Sequence, residues 1–502
     1  FAFIVGDSNR LDLEKLSWTI QYNPSILRWT CQFGSIKASI ILPNILMDEK
    51  LSDVLMLPLK DISLRRVAVI LCSQTDILSL DDAFAVEYKV EDNVRKFELP
   101  PLLKEQIKYL VKPIHTEMRN WKKFHEEYLK NSYINTFCNN KGLCWTNLGT
   151  VDYQKTAEKL ISCEMLDIVK RYRLACLYCL EDYIPVLWKK LPEKSKRSFM
   201  KKKYLLLYIR NPKLEFCWPY ILKGEETKLD NMLDRQSGNL KTFNQIAFEY
   251  SAYIGNKAAT EYFFRKLTYG EREASLYRAT TAVLTRQLKR EFVGDNFPPE
   301  KRSDTSFYLL SQINPEQQME IFKRHPCSVL MCLLDWPWQH LFLDIAEHIW
   351  NCLTPYNYFY LLLNISRRIK IGYCLTKLFQ EFFLHGDDDF KKCFVDQECH
   401  SASILRDFFD NQEMESIKVI FRNVYSVERK RLVSSESVFK LFYNSILNGK
   451  WHLIQLCIQE ATLSIEDKSE LKEAYCRFLA EIHKGQKIKW SKWEQLFQFF
   501  LD

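Results

Sequence analysis

Between His385 and His400 the chain reads HGDDDFKKCFVDQECH, gathering two histidines, Cys393, Cys399 and the acids Asp387, Asp388 and Asp389. Tetrahedral zinc needs four converging ligands, usually presented as close pairs such as C-x2–4-C. Here the cysteines stand six apart and Cys399 abuts His400, which rarely lets both reach one ion. A polar loop between helical elements is the expected reading. Cys138 and Cys144 in CNNKGLC would close a small disulfide loop in an oxidising compartment, and a free-thiol loop is expected. Cys176-Leu-Tyr-Cys179 has redox-motif spacing, yet its flanks are apolar and helical and no strand precedes it, so packing is expected. His340 and His348 lie eight apart and could share a helix face with Asp344 and Glu347, as a structural pair. No phosphate-cradling glycine loop, G-x-S-x-G or H-E-x-x-H string occurs. The chain reads as a non-enzyme with no cofactor and no metal.

A basic run carries more chemistry. KKLPEKSKRSFMKKKYLLLYIR sets Lys189, Lys190, Lys194, Lys196, Arg197, Lys201, Lys202 and Lys203 against a single acid, Glu193. Such a cluster can neutralise phosphates, and Tyr204 and Tyr208 could stack on bases. RQLKREF, Arg286 to Phe292, and SVERKRL, Ser426 to Leu432, add smaller patches. The competing expectation is that solvated loops of a mildly basic chain collect lysines, since a net charge of +8 is modest for this length. At the C-terminal end, KWSKWEQLFQFFLD places Trp490, Trp493, Leu496, Phe497 and Phe500 on one helical stripe, suited to capping the fold or docking a partner.

The elements that position these groups are helices. Thirteen glycines in 502 residues fall far below the usual share of roughly 7%, which disfavours sheets joined by tight turns. With 47% hydrophobic and 27% charged residues, the chain is a folded one. No run of 18 uncharged apolar residues is present, so no membrane-spanning helix is expected. Most of the sixteen cysteines sit in apolar helical runs, as in VLMCLL and IQLCIQ, where they act as small hydrophobes. Reduced thiols in an intracellular, cytoplasmic protein follow. The alternative is a secreted, toxin-like or structural assembly with oxidised cysteines. The sequence begins at Phe1, so a leader upstream would not be read here. AFAVEYKVED, Ala83 to Asp92, is the best candidate for an extended piece, and the paired prolines in ELPPLL and NFPPEK mark breaks.

Polar turns between apolar helices recur at a steady step. In the C-terminal half they fall at Asp335, Gly372, Asn411, Gly449 and Gly485, in steps of 37, 39, 38 and 36. Gly34, Thr75, Lys112, Gly149 and Asp182 continue the pattern more faintly upstream. The pattern predicts an all-α solenoid of roughly a dozen helix–turn–helix repeats with a period of about 36–40 residues. Three segments are expected: degenerate repeats over 1–150, central repeats with the basic edge over 151–300, and C-terminal repeats with a capping helix over 301–502.

AFEYSAYIGNKAATEYFFRKL and LFYNSILNGKWHLIQLCIQEA resemble the helix pair of degenerate ankyrin-like repeats. Ala247 stands as the small residue of the first helix, and Gly255-Asn256 and Gly449-Lys450 form the Gly-polar turn. The chain departs from the family in lacking the Thr-Pro-Leu-His opening, the Gly-Ala-Asp close and the 33-residue period. The resemblance implies protein–protein recognition without catalysis. The function expected is an interaction scaffold or assembly protein, holding a protein partner or a second copy of itself. Binding of nucleic acid along the Lys189–Lys203 edge is the alternative.

Overall fold

The computed structural model describes residues 57–74, 83–129, 137–138, 142–163, 166–209, 211–237, 241–289 and 297–483. Gly34, Thr75, Gly485 and the stripe of Trp490, Trp493, Leu496, Phe497 and Phe500 lie outside them. The described residues are helical, and the extended pairing among them is an isolated antiparallel bridge between Trp145 and Val151. The chain divides into two compact units, Phe1–Asp344 and Ile345–Asp502.

The first unit opens with α1 (Leu59–Cys72), α2 (Ala83–Arg95) and α3 (Pro101–His125). Their common core is built from Leu64, Ala68, Val69, Val86, Val90, Val94, Ile107, Val111 and Ile114, closed by Trp336. The extended piece expected at Ala83–Asp92 is therefore a helix. Its valines stand at i, i+4 and i+8, and burying that stripe against α3 overrides the alternating pattern. The turn expected at Lys112 is also absent, because α3 runs through Pro113 for 25 residues. A helix-interior proline costs roughly 3 kcal/mol. Ile107, Val111, Ile114, Met118 and Trp121 form one buried stripe across it, and each such burial returns about 1.5–3 kcal/mol.

There follow α4 (Tyr153–Ser162), α5 (Ile168–Leu177), α6 (Ile184–Lys190), α7 (Glu193–Phe199), α8 (Lys202–Tyr208), α9 (Leu214–Ile221) and α10 (Glu226–Ser237). Next come α11 (Phe243–Ile254), α12 (Lys257–Lys266), α13 (Tyr269–Lys289), α14 (Pro299–Gln312), α15 (Pro315–Arg324) and α16 (Pro326–Leu333). His340 lies in a 3-10 turn, Trp338–Leu341, and His348 ends α17 (Phe342–His348), so the two histidines expected on one helix face belong to different elements. Beyond the break marked by NFPPEK, Lys301–Ser303 lie within α14, which Pro299 starts at its first turn.

The second unit contains α18 (Pro355–Lys370), α19 (Thr376–His385), α20 (Asp388–Asp396), α21 (Glu398–Asn411), α22 (Met414–Arg422), α23 (Ser426–Ser434), α24 (Glu436–Leu447), α25 (Trp451–Ala461) and α26 (Ile465–Ile482). Each packs on the third helix after it: α18 on α21 on α24, α19 on α22 on α25, and α20 on α23 on α26. Where two helices per step were expected, three lie between Gly372 and Asn411 and three more between Asn411 and Gly449. The difference comes from the acidic stretch after His385, which is a helix. Asp387 caps α20 by accepting from the Phe390 amide at 3.1 Å, and Asp388 and Asp389 occupy its first turn, where the helix dipole favours anions.

The two turns whose wording matches also match in geometry. Gly255 has φ +82° and Gly449 φ +71°, a region an L side chain enters only with strain. At one, Gly255 donates to Ala252 and Asn256 to Ser251; at the other, Gly449 donates to Ile446 and Lys450 to Ser445.

Candidate functional site: a basic edge and a buried ionic cluster

Three seven-residue helices carry the basic run. α6 ends at Leu191-Pro192 and α7 ends at Met200, so two breaks separate the three helices. Apolar residues hold this corner down. Leu187, Leu191 and Phe199 are buried, Tyr172 packs on Trp188 at 5.4 Å and on Phe199 at 5.0 Å, and Phe199 packs on Phe216 at 5.7 Å. The cations are thereby left outside. Lys189, Lys190, Lys194, Arg197, Lys201, Lys202 and Lys203 are exposed and form no ion pair among the described residues. Lys196 alone is engaged, bridging Glu193 at 2.9 Å and donating to the Lys189 carbonyl at 3.3 Å.

Helix polarity separates these cations into two kinds. Lys189 and Lys190 end α6, and Lys196 and Arg197 end α7, where positive charge complements the dipole. Lys201 is the N-cap of α8 without a side-chain cap bond, and Lys202 and Lys203 are its first residues. Three positive charges there oppose the dipole, so helix stability does not account for them. Tyr204 and Tyr208 both stack on Phe216, at 5.5 and 5.7 Å, and Lys213 lies 5.0 Å from the Tyr208 ring centre. Each ring expected to receive a base thus gives one face to this packing, while Tyr204 keeps 36% of its surface exposed.

The described side chains of the smaller patches are spent internally, while Arg290 to Phe292 of the first patch lie outside the described residues. Arg286 and Gln287 are buried, Arg286 donating to the Tyr253 carbonyl at 2.8 Å. In α23, Arg429 bonds the Val424 carbonyl and Thr462, Lys430 pairs with Asp467 and Glu470, and Arg431 pairs with Asp396 and Glu398. SVERKRL is thus a set of bridges between helices.

Sequence reasoning missed a second constellation. Lys301 on α14 lies 2.7 Å from Glu117 on α3 and 3.3 Å from Asp304, donates to the Val151 carbonyl at 3.2 Å, and sits 4.6 Å from the Tyr153 ring centre. Glu117 accepts from the Val151 amide at 3.1 Å, and Asp304 accepts from the Trp338 indole at 3.0 Å. Trp336 donates to the Gly149 carbonyl at 3.1 Å under the Arg65 guanidinium. Burial pushes the Glu117 carboxyl up and the Lys301 charge pulls it back, while the two carboxylates hold the Lys301 ammonium protonated. Lys301 Nζ and Glu117 Oε1 are each engaged by the other and by the Val151 backbone, which makes the cluster a clasp joining α3, α14 and the Trp145–Val151 loop.

The remaining candidates are structural. Cys176 and Cys179 are buried at the end of α5, and burial raises both thiols, the reverse of what a reactive thiolate needs. Among the described residues the cysteines, Cys138 and Cys144 included, form no disulfide, and no three His, Cys, Asp or Glu side chains converge as a metal site. His385 packs on Trp350 at 4.3 Å and His400 on Phe359 at 5.7 Å. Among the described residues no helix is long and apolar enough to cross a membrane. Two half-open grooves of the second unit, one around Lys391, Arg422 and Tyr425 and one around Lys430, Glu470 and Arg477, are lined by charged groups. No protein-family model matches the chain, and no curated protein is similar to it.

Proposed function

We propose that the chain is a non-enzymatic protein–protein interaction scaffold whose second unit is a solenoid of stacked helical repeats, three helices to a step of about 38 residues. The observation that carries this reading is a ladder of side-chain bonds between residues one step apart. Thr376 bonds Glu413 across 37 positions, Gln380 bonds Ser416 across 36, Ser437 bonds Cys399 across 38, and Arg422 forks onto Glu460 across 38. Lys450 reaches Asp410 and Lys430 reaches Glu470, each across 40. Repetition of this kind presents an extended surface on which equivalent positions recur. Val427 and Ile465, at the starts of α23 and α26, are such a pair, 66% and 83% exposed. Three helices per step differ from the two of an ankyrin unit, so the ankyrin likeness is confined to the Gly-polar turns α11–α12 and α24–α25.

The test is V427D/I465D in the full chain. Both positions are solvent-exposed, so circular dichroism should be unchanged, while the mass measured by light scattering, or the set of proteins co-purifying from cells, should shrink relative to the parent chain. Identical mass and identical co-purifying proteins for the two chains would refute this surface as the scaffold's contact face.

A second reading rests on the seven exposed cations of the α6–α8 corner, which form no ion pair among the described residues: an edge that binds a polyanion.

A further inference from the structure

We infer that the α6–α8 corner is a docking surface for an anionic lipid bilayer, resting on the polyanion reading above and specifying its ligand. The charge reaches beyond the run itself. Lys223 is exposed and its ammonium lies 3.9 Å from the Met200 sulfur, and Lys213 covers Tyr208, so cations from the α8–α9 loop and the turn after α9 join the same surface. The acid of the run, Glu193, is neutralised by Lys196.

Exposed apolar groups are interleaved with these cations. Val186 is 51% exposed, and Met200 and Tyr204, flanking Lys201–Lys203, are each 36% exposed. A surface for nucleic acid needs cations and free aromatic faces. Here each tyrosine gives one face to Phe216 and Lys213 lies over Tyr208, which leaves the exposed edge of Tyr204 beside the aliphatic and thioether surface of Val186 and Met200 and the lysine ammonium groups. That combination suits the headgroup region of a bilayer. Anionic lipid attracts each lysine, long lysine stems extend to the phosphates, and the small apolar groups enter the boundary with the acyl chains. The short helices are anchored from below by Leu187, Leu191 and Phe199, so the surface is presented without refolding. Lysines at the start of α8, which work against the helix dipole, then act on a ligand outside the fold.

The experiment is co-sedimentation of the full chain with vesicles of equal parts phosphatidylserine and phosphatidylcholine, with vesicles of phosphatidylcholine alone, and a filter-binding assay with single-stranded RNA. The expected result is binding to the serine-containing vesicles only, weakened by salt and lowered at least about tenfold in K201E/K202E/K203E. M200D should weaken vesicle binding and leave any RNA binding unchanged. Should the charge-reversed chain fail to fold, K201Q/K202Q/K203Q provides the same comparison with a smaller loss. Salt-sensitive RNA binding that the triple variant abolishes, with no vesicle binding, would overturn the lipid assignment and retain a polyanion edge. Binding to neither ligand would overturn both, and equal binding to the two vesicle types would overturn the role of charge.

Discussion

Lys301 shows how much of the first unit rests on a few side chains. Its ammonium and the Glu117 carboxylate are shielded from water, and each is satisfied through the Val151 backbone as well as through the other. Removing one partner strands the other. K301M should lower stability by about 3–5 kcal/mol in urea unfolding, while K301M/E117L should recover most of that loss, because the penalty is an uncompensated charge. Equal losses in the single and double variants would mean that the ion pair itself is the main source of stability. One buried histidine gives a pH dependence of definite sign. Burial lowers His125 from the ordinary 6.5 to about 4, so it is neutral in the fold and takes up a proton on unfolding. Unfolded chain therefore binds more protons between about pH 6.5 and 4. Stability from this group is complete above 6.5 and is lost as pH falls toward 4, by roughly 3 kcal/mol. Relative to the parent, H125N should flatten the stability curve across that window, and an unchanged slope would place the His125 titration elsewhere.

At the scale of elements, the two glycine turns were legible in the sequence and the interiors of helices less so. Gly255 and Gly449 were readable because a left-handed residue after an apolar run has few other solutions. They differ in their surroundings. A Cβ on Gly255 would lie 2.7 Å from the Arg302 Cγ, whereas a Cβ on Gly449 would meet nothing within 4 Å. G449A should cost about 1 kcal/mol, the strain of positive φ alone, and G255A distinctly more, since buried Arg302 must also shift. Equal Tm changes for the two would contradict this placement of Arg302. Lys112-Pro113 was misread because a proline usually ends a helix, and only the buried stripe on both sides of it shows otherwise. Ala83–Asp92 was misread because alternation and an i, i+4 stripe coexist in it, and the partner that decides between them is α3. The acidic stretch after His385 reads as a loop by composition, although a cap followed by first-turn acids is also a helix start. The exposure of seven of the eight cations in the basic run was legible, since lysines in a run with one acid have nowhere to go but the surface, and Lys196 is the exception that Glu193 engages. The Lys301 clasp was illegible, because Lys-Arg-Ser is ordinarily solvated and the Val151 carbonyl that receives Lys301 lies 150 positions earlier.

For the molecule, polar turns recur in the sequence at a step of about 38 residues, and the helices between Gly372, Asn411 and Gly449 number three to an interval where two were expected, since a spacing reports where a pattern recurs and says little about what fills the interval. If the second unit is a stack, each step is held by its neighbours alone. The measurement that tests this most directly is far-UV circular dichroism and solubility of the chain ended after Asn448, which removes α25 and α26 and all that follows. The account predicts that helical signal per remaining residue is kept, with lower solubility from the uncovered faces of α22 and α24. A loss of helical signal extending through α18–α23 would contradict it and make the second unit a single cooperative globule.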